Sequence, residues 1–91
     1  MMKLEGKTAF ITGGGGGIGG GMAQAFAEKG MKLVLADIDL AHARDQAAEF
    51  GDNAIAIALD VTSLDSWAAA KTAAYARFGQ VDVLCNNAGV S

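Results

Sequence analysis

The amino-acid sequence predicts an α/β protein built on one parallel sheet, and three observations support this prediction. Short apolar runs alternate with longer stretches in which apolar residues recur at helical spacing. The later apolar runs are continuous rather than alternating, as in strands that are covered on both faces. Because a helical segment separates consecutive strands, the strands are expected to be parallel, with right-handed crossovers. We therefore predict half of a doubly wound sheet with four strands in the order 3-2-1-4.

The first strand and the first helix enclose a glycine-rich segment. The strand is predicted over Thr8–Thr12, which is β-branched and aromatic and has glycines on both sides. Glycine then fills residues 13–17 and 19–21. Apolar residues at helical spacing predict the first helix over residues 18–29, which Gly30 would end as a C-cap. The segment is therefore a strand-turn-helix unit.

The remaining elements continue the alternation. The predicted strands cover residues 33–36, 54–59 and 81–85, and the helices between them cover residues 40–50 and the alanine-rich stretch that ends at residue 78. Asp39 is the predicted N-cap of the second helix. Thr62 and Asp65 resemble a capping box at the start of the third helix, which Gly79 would end.

Composition and charge limit the possible partners. With 91 residues, 52% of them apolar and 19% charged, the chain has the composition of one packed domain rather than of a disordered segment. A net charge of −3 without a basic cluster offers no electrostatic attraction to nucleic acid or to an anionic membrane. The single cysteine excludes an internal disulfide, and the N-terminus carries no apolar export segment. We therefore expect one cytoplasmic domain over residues 1–91, without nucleic-acid or membrane partners.

The glycine run has the placement of a phosphate-binding turn. A dinucleotide pyrophosphate needs backbone N–H groups that it can approach closely and a helix N-terminus directed at its charge. Gly13 can take the tight turn, while Gly17 and Gly19 allow close approach of the phosphate and of the helix. A flexible linker is the alternative, but the flanking strand and helix favour phosphate binding. The other glycines of the run receive no role.

Asp37 follows the second strand, where an acidic side chain can accept hydrogen bonds from the ribose hydroxyls of adenosine. A 2′-phosphate about 4 Å away would be repelled by roughly 4 kcal/mol at an effective dielectric constant of about 20, before screening by salt. No lysine or arginine stands nearby, at residues 14–20 or at Ile38, to compensate this repulsion. We therefore predict NAD as the cofactor, with a solvated or helix-capping aspartate as the alternative role of Asp37.

The motifs together resemble a known family. Thr12-Gly13-x-x-x-Gly17-Ile18-Gly19, Asp37, Asp60-Val61 and Asn86-Asn87-Ala88-Gly89 resemble, in this order, the motifs of the classical short-chain dehydrogenases/reductases, which have a Rossmann fold. The resemblance implies that Ile18 belongs to the cofactor-binding turn and that Asp60 and Val61 contact the adenine. It also implies that Asn87 and Gly89 line the nicotinamide ribose, with Asn87 bracing the sheet. A plain turn role for Asp60 and strand-end capping by the asparagines are the alternatives.

The same resemblance implies where catalysis would be located. The family's active-site serine and Tyr-x-x-x-Lys pair would come after residue 91, so no catalytic residue is assigned within the chain. Tyr75 and Lys71 occur in the reverse order on the wrong helix and are not interpreted as catalytic. We therefore expect the N-terminal half of an NAD-binding domain, without a second domain.

Four other conspicuous side chains are interpreted as structural. His42 is a solitary histidine at an exposed helix start, without the neighbours that a metal site needs. Cys85 lies in an apolar strand and is interpreted as a small buried hydrophobe. Trp67 and Phe78 are expected to pack the third helix against the sheet.

Three functions compete at this point. The first is the NAD(H)-binding part of an oxidoreductase that transfers a hydride between NAD and an alcohol or ketone, with the small-molecule substrate held only by a full-length form. The second is a non-catalytic dinucleotide-binding module that self-associates, because an open edge at the fourth strand invites a homo-oligomer. The third, a methyltransferase-like fold, is disfavoured by the glycine spacing and by the Asn-Asn-Ala-Gly motif.

Overall fold

The structure is a computed structural model, and it describes residues 3–14 and 17–87. The strands are β1 (Thr8–Thr12), β2 (Lys32–Asp37), β3 (Ala54–Ala58) and β4 (Val83–Asn86). The helices are α1 (Gly17–Glu28), α2 (Leu40–Ala48) and α3 (Leu64–Phe78), and a short 3-10 turn covers Gly51–Asn53. All strand pairs are parallel and the order is β3-β2-β1-β4, which confirms the predicted α/β fold and strand order.

Two predicted boundaries moved for identifiable reasons. The second helix ends at Ala48, earlier than predicted, and a 3-10 turn that begins at Gly51, where φ is +61°, leads into β3. The fourth strand begins at Val83 because Asp82 binds the start of β1 with its side chain. Asp82 Oδ2 accepts the N–H of Thr8 at 2.9 Å, while the Asp82 N–H donates to the Thr8 carbonyl at 2.9 Å.

The helix caps confirm one prediction and correct another. Asp39 caps α2 as predicted, because its Oδ1 accepts the backbone N–H of His42 at 3.2 Å. The capping box predicted from Thr62 and Asp65 is wrong, since Ser63 caps α3 with its Oγ, which accepts the N–H of Ser66 at 3.2 Å. The Thr62 hydroxyl is instead bound to an aspartate that precedes it in the chain.

The core lies on both faces of the sheet. We call the side covered by α1 and α2 the α1/α2 face, and the side covered by α3 the α3 face. The buried core of the α1/α2 face includes Ala9, Ile11, Ala23, Met31, Leu33, Leu35 and Ala43. That of the α3 face includes Phe10, Val34, Ala36, Leu59, Ala70 and Ala74. Trp67 stacks on Phe10 with 6.0 Å between ring centroids, and Phe78 packs on the same core, which confirms the packing predicted for both.

Candidate functional site

The predicted site residues that the structure describes lie at the carboxyl ends of the strands. A cavity of about 310 Å³ opens there between the ends of β1, β2 and β3. Its lining residues are Gly13, Ala36, Asp37, Ile38, Leu59, Asp60, Val61 and Thr62. In doubly wound sheets, ligands bind beyond this edge, at the carboxyl ends of the strands. The fold therefore brings Gly13, Asp37, Asp60 and Val61 to one cavity although they are far apart in the sequence.

The glycine turn needs glycine at two of its predicted positions for reasons internal to the protein. Gly13 has a φ of +67°, a left-handed conformation that is costly for other residues, and this agrees with the predicted tight turn. A Cβ on Gly19 would lie 2.2 Å from the carbonyl oxygen of Gly13, so α1 could not approach the turn if residue 19 carried a side chain. These two glycines allow α1 to begin directly against the end of β1.

Gly17, the first residue of α1, differs from its neighbours. A Cβ on Gly17 would meet no atom of the described protein within 4 Å, and the φ of Gly17 is not positive. Neither packing nor backbone conformation within the described residues therefore requires glycine there. Gly17 begins α1, and the N–H groups of a helix's first turn have no partner within the helix and stabilise an anion.

Two glycines of the run that had no predicted role serve packing. A Cβ on Gly14 would stand 3.0 Å from the Cα of Leu35 and 3.2 Å from the Ile11 carbonyl oxygen, so Gly14 lets the turn lie on β2. The Gly14 N–H also donates to the Ala36 carbonyl at 3.2 Å. A Cβ on Gly20 would lie 3.0 Å from the side-chain amide nitrogen of Gln46 on α2. Neither contact has a local signal in the sequence, because Leu35 and Gln46 belong to other elements of the fold.

Asp37 ends β2 at the rim of the cavity. Its Oδ1 accepts the backbone N–H of Asp39 at 2.9 Å, which is a local turn that orients the carboxylate. The cap of α2 is Asp39 and not Asp37, so the helix-capping alternative for Asp37 is wrong. Next to it, the side chain of Ile38 is 76% exposed, an unusual position for an isoleucine. The end of β2 thus presents a carboxylate and an apolar surface to the same cavity.

Asp60 and Val61, which follow β3, form another part of the cavity wall. Asp60 Oδ1 accepts both the Thr62 hydroxyl, at 2.6 Å, and the Thr62 backbone N–H, at 2.9 Å. These two hydrogen bonds lower the pKa of Asp60, because they stabilise the ionised carboxylate. The Val61 carbonyl accepts the Trp67 indole N–H at 3.0 Å, which ties this wall to α3. The turn role that was the alternative for Asp60 is therefore real, and it places the residue at the cavity.

The asparagines at the end of β4 join the glycine turn through one hydroxyl. The buried Thr12 Oγ1 donates to Asn86 Oδ1 at 2.8 Å and accepts the backbone N–H of Asn87 at 2.9 Å. The Asn87 side-chain amide Nδ2 donates to the Met22 sulfur at 3.2 Å. The contacts of Thr12 and Met22 were not foreseen, because they join segments that are distant in the sequence. Gly89 and the side chain of Ile18 lie outside the described part of the chain.

The residues interpreted as non-catalytic lie away from the cavity that contains Asp37. Cys85 is half-buried rather than buried as predicted, and this partial burial raises the pKa of its thiol, which opposes formation of a nucleophilic thiolate. The Lys71 ammonium lies 5.9 Å from the centre of the Tyr75 ring, and both residues line a different cavity, on the α3 face. His42 is exposed, as expected. Within residues 3–14 and 17–87, no cluster of three or more potential metal-binding side chains occurs, and no helix is long and apolar enough to cross a membrane.

A parallel sheet in the order 3-2-1-4, with a glycine turn between β1 and α1 and an acidic residue at the end of β2, defines a Rossmann-type α/β protein. Comparison with known families is more specific. The family model described as short chain dehydrogenase matches residues 7–91, and the chain belongs to this family.

Similar proteins support the assignment over nearly the whole chain. Galactitol 2-dehydrogenase of Agrobacterium fabrum is 48% identical over 89 residues, which are 98% of this chain and 35% of that protein. Sorbitol dehydrogenase of Cereibacter sphaeroides is 46% identical over 98% of this chain and 35% of that protein. The chain therefore spans about a third of the length of these relatives.

Solved structures agree in fold. The structure of 3-ketoacyl-(acyl-carrier-protein) reductase from Brucella melitensis, complexed with NADH, matches with a TM-score of 0.87 and 49% identity over 89% of this chain and 34% of that chain. A short chain dehydrogenase/reductase from Burkholderia phymatum, in complex with NAD, matches with a TM-score of 0.87 and 37% identity over 92% of this chain and 31% of that chain.

Proposed function

We propose that the chain is the NAD(H)-binding part of an oxidoreductase that transfers a hydride between NAD and an alcohol or ketone. Residues 1–91 are then the N-terminal half of the cofactor-binding domain. The observation that carries the proposal is the meeting of Gly13, Asp37, Asp60 and Val61 around one cavity at the carboxyl edge of the sheet. When bound, the nicotinamide would accept or supply the hydride, while these residues bind and orient the dinucleotide.

The glycine turn fits a pyrophosphate. Gly17 has no packing neighbour that would exclude a side chain, yet it stands at the first turn of α1, where N–H groups can bind an anion. A side chain at residue 17 would occupy the space through which phosphate oxygens reach those groups. Gly17, together with Ile18 and Gly19, is therefore proposed to hold the pyrophosphate.

The cavity itself fits an adenosine. An adenine ring needs apolar walls, and the exposed side chains of Ile38 and Val61, which both line the cavity, supply them. The ribose hydroxyls need acceptors, and Asp37 lies on the same rim. Asp60 is proposed to hold the Val61 wall in place through its turn with Thr62. Asn87 and Gly89 are proposed to serve the nicotinamide ribose.

Asp37 is also the proposed reason for selecting NAD over NADP. A 2′-phosphate on the ribose would bring a second negative charge close to the carboxylate. Ile38, which comes next, carries no charge to offset it. The complexes of two similar structures, with NADH and with NAD, support the same choice.

The substrate class is proposed from the relatives rather than from this chain's residues. The names galactitol 2-dehydrogenase and sorbitol dehydrogenase support an alcohol or the corresponding ketone. Tyr75 and Lys71 lie on the α3 face, at a cavity other than the one that contains Asp37. Catalysis is therefore not assigned to any of the described residues.

A second candidate function is a self-associating dinucleotide-binding module without catalysis. The observation in its favour is an apolar cavity of about 290 Å³ on the α3 face, next to β4, where Leu84 is 59% exposed. Sedimentation of the purified chain over a range of concentrations tests this candidate. Dimers that Leu84→Lys dissociates would support it, and a monomer at all concentrations would oppose it.

Titration of the purified chain with NADH and NADPH, followed by nicotinamide fluorescence, tests the proposed function. We expect tighter binding of NADH, and we expect Asp37→Asn to reduce the preference about tenfold, as loss of roughly 1.4 kcal/mol of repulsion would. Asp45→Asn, which removes an exposed aspartate of α2 away from the cavity, is the matched control. Equal affinities for both cofactors, or an Asp37→Asn variant with unchanged preference, would contradict the proposal.

A pair of glycine variants separates binding from folding. We expect Gly17→Val to abolish cofactor binding without unfolding the chain, because its side chain would enter open space at the proposed pyrophosphate position. Gly21→Val adds the same side chain to the same helix, also into open space, and we expect it to bind cofactor like the original chain. Equal binding by both variants would oppose the assignment of Gly17 to the pyrophosphate.

A further inference from the structure

Asn87 is held at two points where β4 ends. Its backbone N–H donates to Thr12 Oγ1 at 2.9 Å, and its side-chain Nδ2 donates to the sulfur of Met22 at 3.2 Å. Met22 lies on α1 and is itself half-buried against the core of the α1/α2 face. The sulfur of Met22 therefore links α1, the helix that follows the glycine turn, to the side chain of Asn87 at the end of β4.

The chemistry of the two groups selects one orientation of the amide. A primary amide has a donor end, the NH₂ group, and an acceptor end, the carbonyl oxygen. A thioether sulfur is a weak acceptor and has no proton to donate. If the amide rotated by 180°, the Asn87 oxygen would face the sulfur and this hydrogen bond would be lost. Met22 consequently favours the orientation in which NH₂ faces α1 and the oxygen faces away from it.

We propose that Met22 is a positioning residue, which fixes the Asn87 amide so that Oδ1 is the end offered to a hydroxyl donor of the cofactor. This inference rests on the proposed function, in which Asn87 serves the nicotinamide ribose. A ribose hydroxyl can donate to a carbonyl oxygen, and it would lose that partner if the amide were free to turn its NH₂ group toward it. The effect of Met22 is therefore on the orientation of Asn87, and Met22 need not touch the cofactor.

Met31 provides a matched comparison within the same core. It is 1% exposed and packs in the cluster against which Met22 also packs. Within residues 3–14 and 17–87, its sulfur accepts no side-chain hydrogen bond. Replacing methionine by leucine nearly conserves side-chain volume and removes the acceptor. Met22→Leu and Met31→Leu thus make the same chemical change, and only Met22→Leu removes a hydrogen bond.

The first readout needs no cofactor. In ¹⁵N-labelled chain, proton exchange of side-chain NH₂ groups is measured by nuclear magnetic resonance. We expect the Asn87 NH₂ group to exchange at least about threefold more slowly than that of the exposed Asn53, as one weak hydrogen bond would cause. Met22→Leu should abolish this protection, Met31→Leu should leave it, and Met22→Gln should restore it because the glutamine oxygen is again an acceptor. Unprotected NH₂ protons of Asn87 in the original chain would overturn the proposal without any variant.

The second readout is NADH affinity. We expect Met22→Leu to weaken it about three- to tenfold, the range that corresponds to one hydrogen bond. Met22→Gln should recover only part of the loss, because a glutamine amide can also donate to Asn87 Oδ1 and selects its orientation less strongly than a thioether. Met31→Leu should not change the affinity. Equal affinities of Met22→Leu and Met31→Leu would overturn the positioning role. If the original chain bound no NADH, the proposed function would fail, and the exchange of the Asn87 NH₂ group would still decide whether Met22 fixes the amide.

Discussion

The two faces of the sheet differ in how completely they are covered. On the α1/α2 face, Ile11, Leu33 and Leu35 are fully buried beneath two helices. On the α3 face, one helix covers the central strands, and β4 leaves Leu84 59% exposed beside a cavity of about 290 Å³. In β2 both faces are buried, since Val34 on the α3 face is 0% exposed, so the difference concerns the edge strand β4, whose Leu84 no helix covers. Burial in this fold therefore follows the helices, and the apolar sequence of a strand does not by itself ensure it.

The comparison has an energetic meaning. A leucine side chain that is completely buried contributes roughly 1.5–3 kcal/mol through transfer from water, and its removal adds the cost of the cavity left behind. A leucine that keeps more than half of its surface exposed contributes much less. Leu33 and Leu84 are the same residue type in two strands of one sheet, each paired with β1. They compare a covered position in an inner strand with an uncovered position in the edge strand.

The largest expected effect is the difference between Leu33→Ala and Leu84→Ala. We expect Leu33→Ala to lower the free energy of unfolding by about 3 kcal/mol, because it opens a cavity in the core of the α1/α2 face. Leu84→Ala should lower it by less than about 1 kcal/mol. Urea denaturation followed by circular dichroism measures both values. If the two variants lost a comparable amount of unfolding free energy, the cavity beside Leu84 on the α3 face would be covered in solution.

The next effect concerns the start of α3. Ser63→Ala should destabilise the chain by about 1 kcal/mol, because the N–H of Ser66 loses its capping oxygen. Asp65→Asn is the informative partner, since it alters the residue that the incorrect capping box assigned to the helix start. We expect Asp65→Asn to cost less than Ser63→Ala in the same denaturation experiment. The reverse order would restore the capping box that the structure excludes.

The sequence predicted most of the fold because the relevant signals are local. Apolar runs and glycine stops located the four strands and three α-helices that the structure describes, although not the 3-10 turn, and parallel connections then implied the strand order. The placement of Asp37 and Asp60 at one edge followed from the same topology, because carboxyl ends of parallel strands meet there. Whether these residues bind NAD stays a prediction.

What the sequence did not predict depends on competition and on distant contacts. The cap of α3 moved from Thr62 to Ser63 because the Thr62 hydroxyl binds Asp60 instead. Gly14 is needed because the turn lies on Leu35, and Met22 meets Asn87 only after β4 has paired with β1. Such contacts depend on three-dimensional neighbours, and no pattern of residue types along the chain indicates them.

A smaller effect, of opposite sign, is expected on α1. Gly21 is exposed, has an ordinary φ, and would place a Cβ in open space, so its only effect on the helix is its backbone flexibility. Gly21→Ala should therefore raise the free energy of unfolding by about 0.5–1 kcal/mol. Gly19→Ala in the same helix is the control with the opposite expectation, because its Cβ would collide with the Gly13 carbonyl. A gain in stability from Gly19→Ala would show that the turn is looser than described.

The smallest expected effect is electrostatic and belongs to the turn that leads into α3. The Thr62 hydroxyl is the main cause of the lowered pKa of Asp60, and the Thr62 backbone N–H is the second. Thr62→Val removes the hydroxyl and keeps the backbone N–H, so the pKa of Asp60 should rise toward, but not reach, its ordinary value. A lowered pKa in the folded state stabilises that state above the pKa of the unfolded chain, and this contribution is lost as pH falls through the folded pKa. Thr62→Val should accordingly make stability less sensitive to acid, by a small amount because Asp60 is fully exposed.

Carbon-detected titration of the Asp60 carboxyl measures its pKa. Thr72→Val is the control, since the Thr72 hydroxyl donates to the Ala68 carbonyl and not to a carboxylate. A pKa of Asp60 that Thr62→Val leaves unchanged would mean that the hydroxyl is not bound to the carboxylate in solution, and Thr62 would again be available to cap α3.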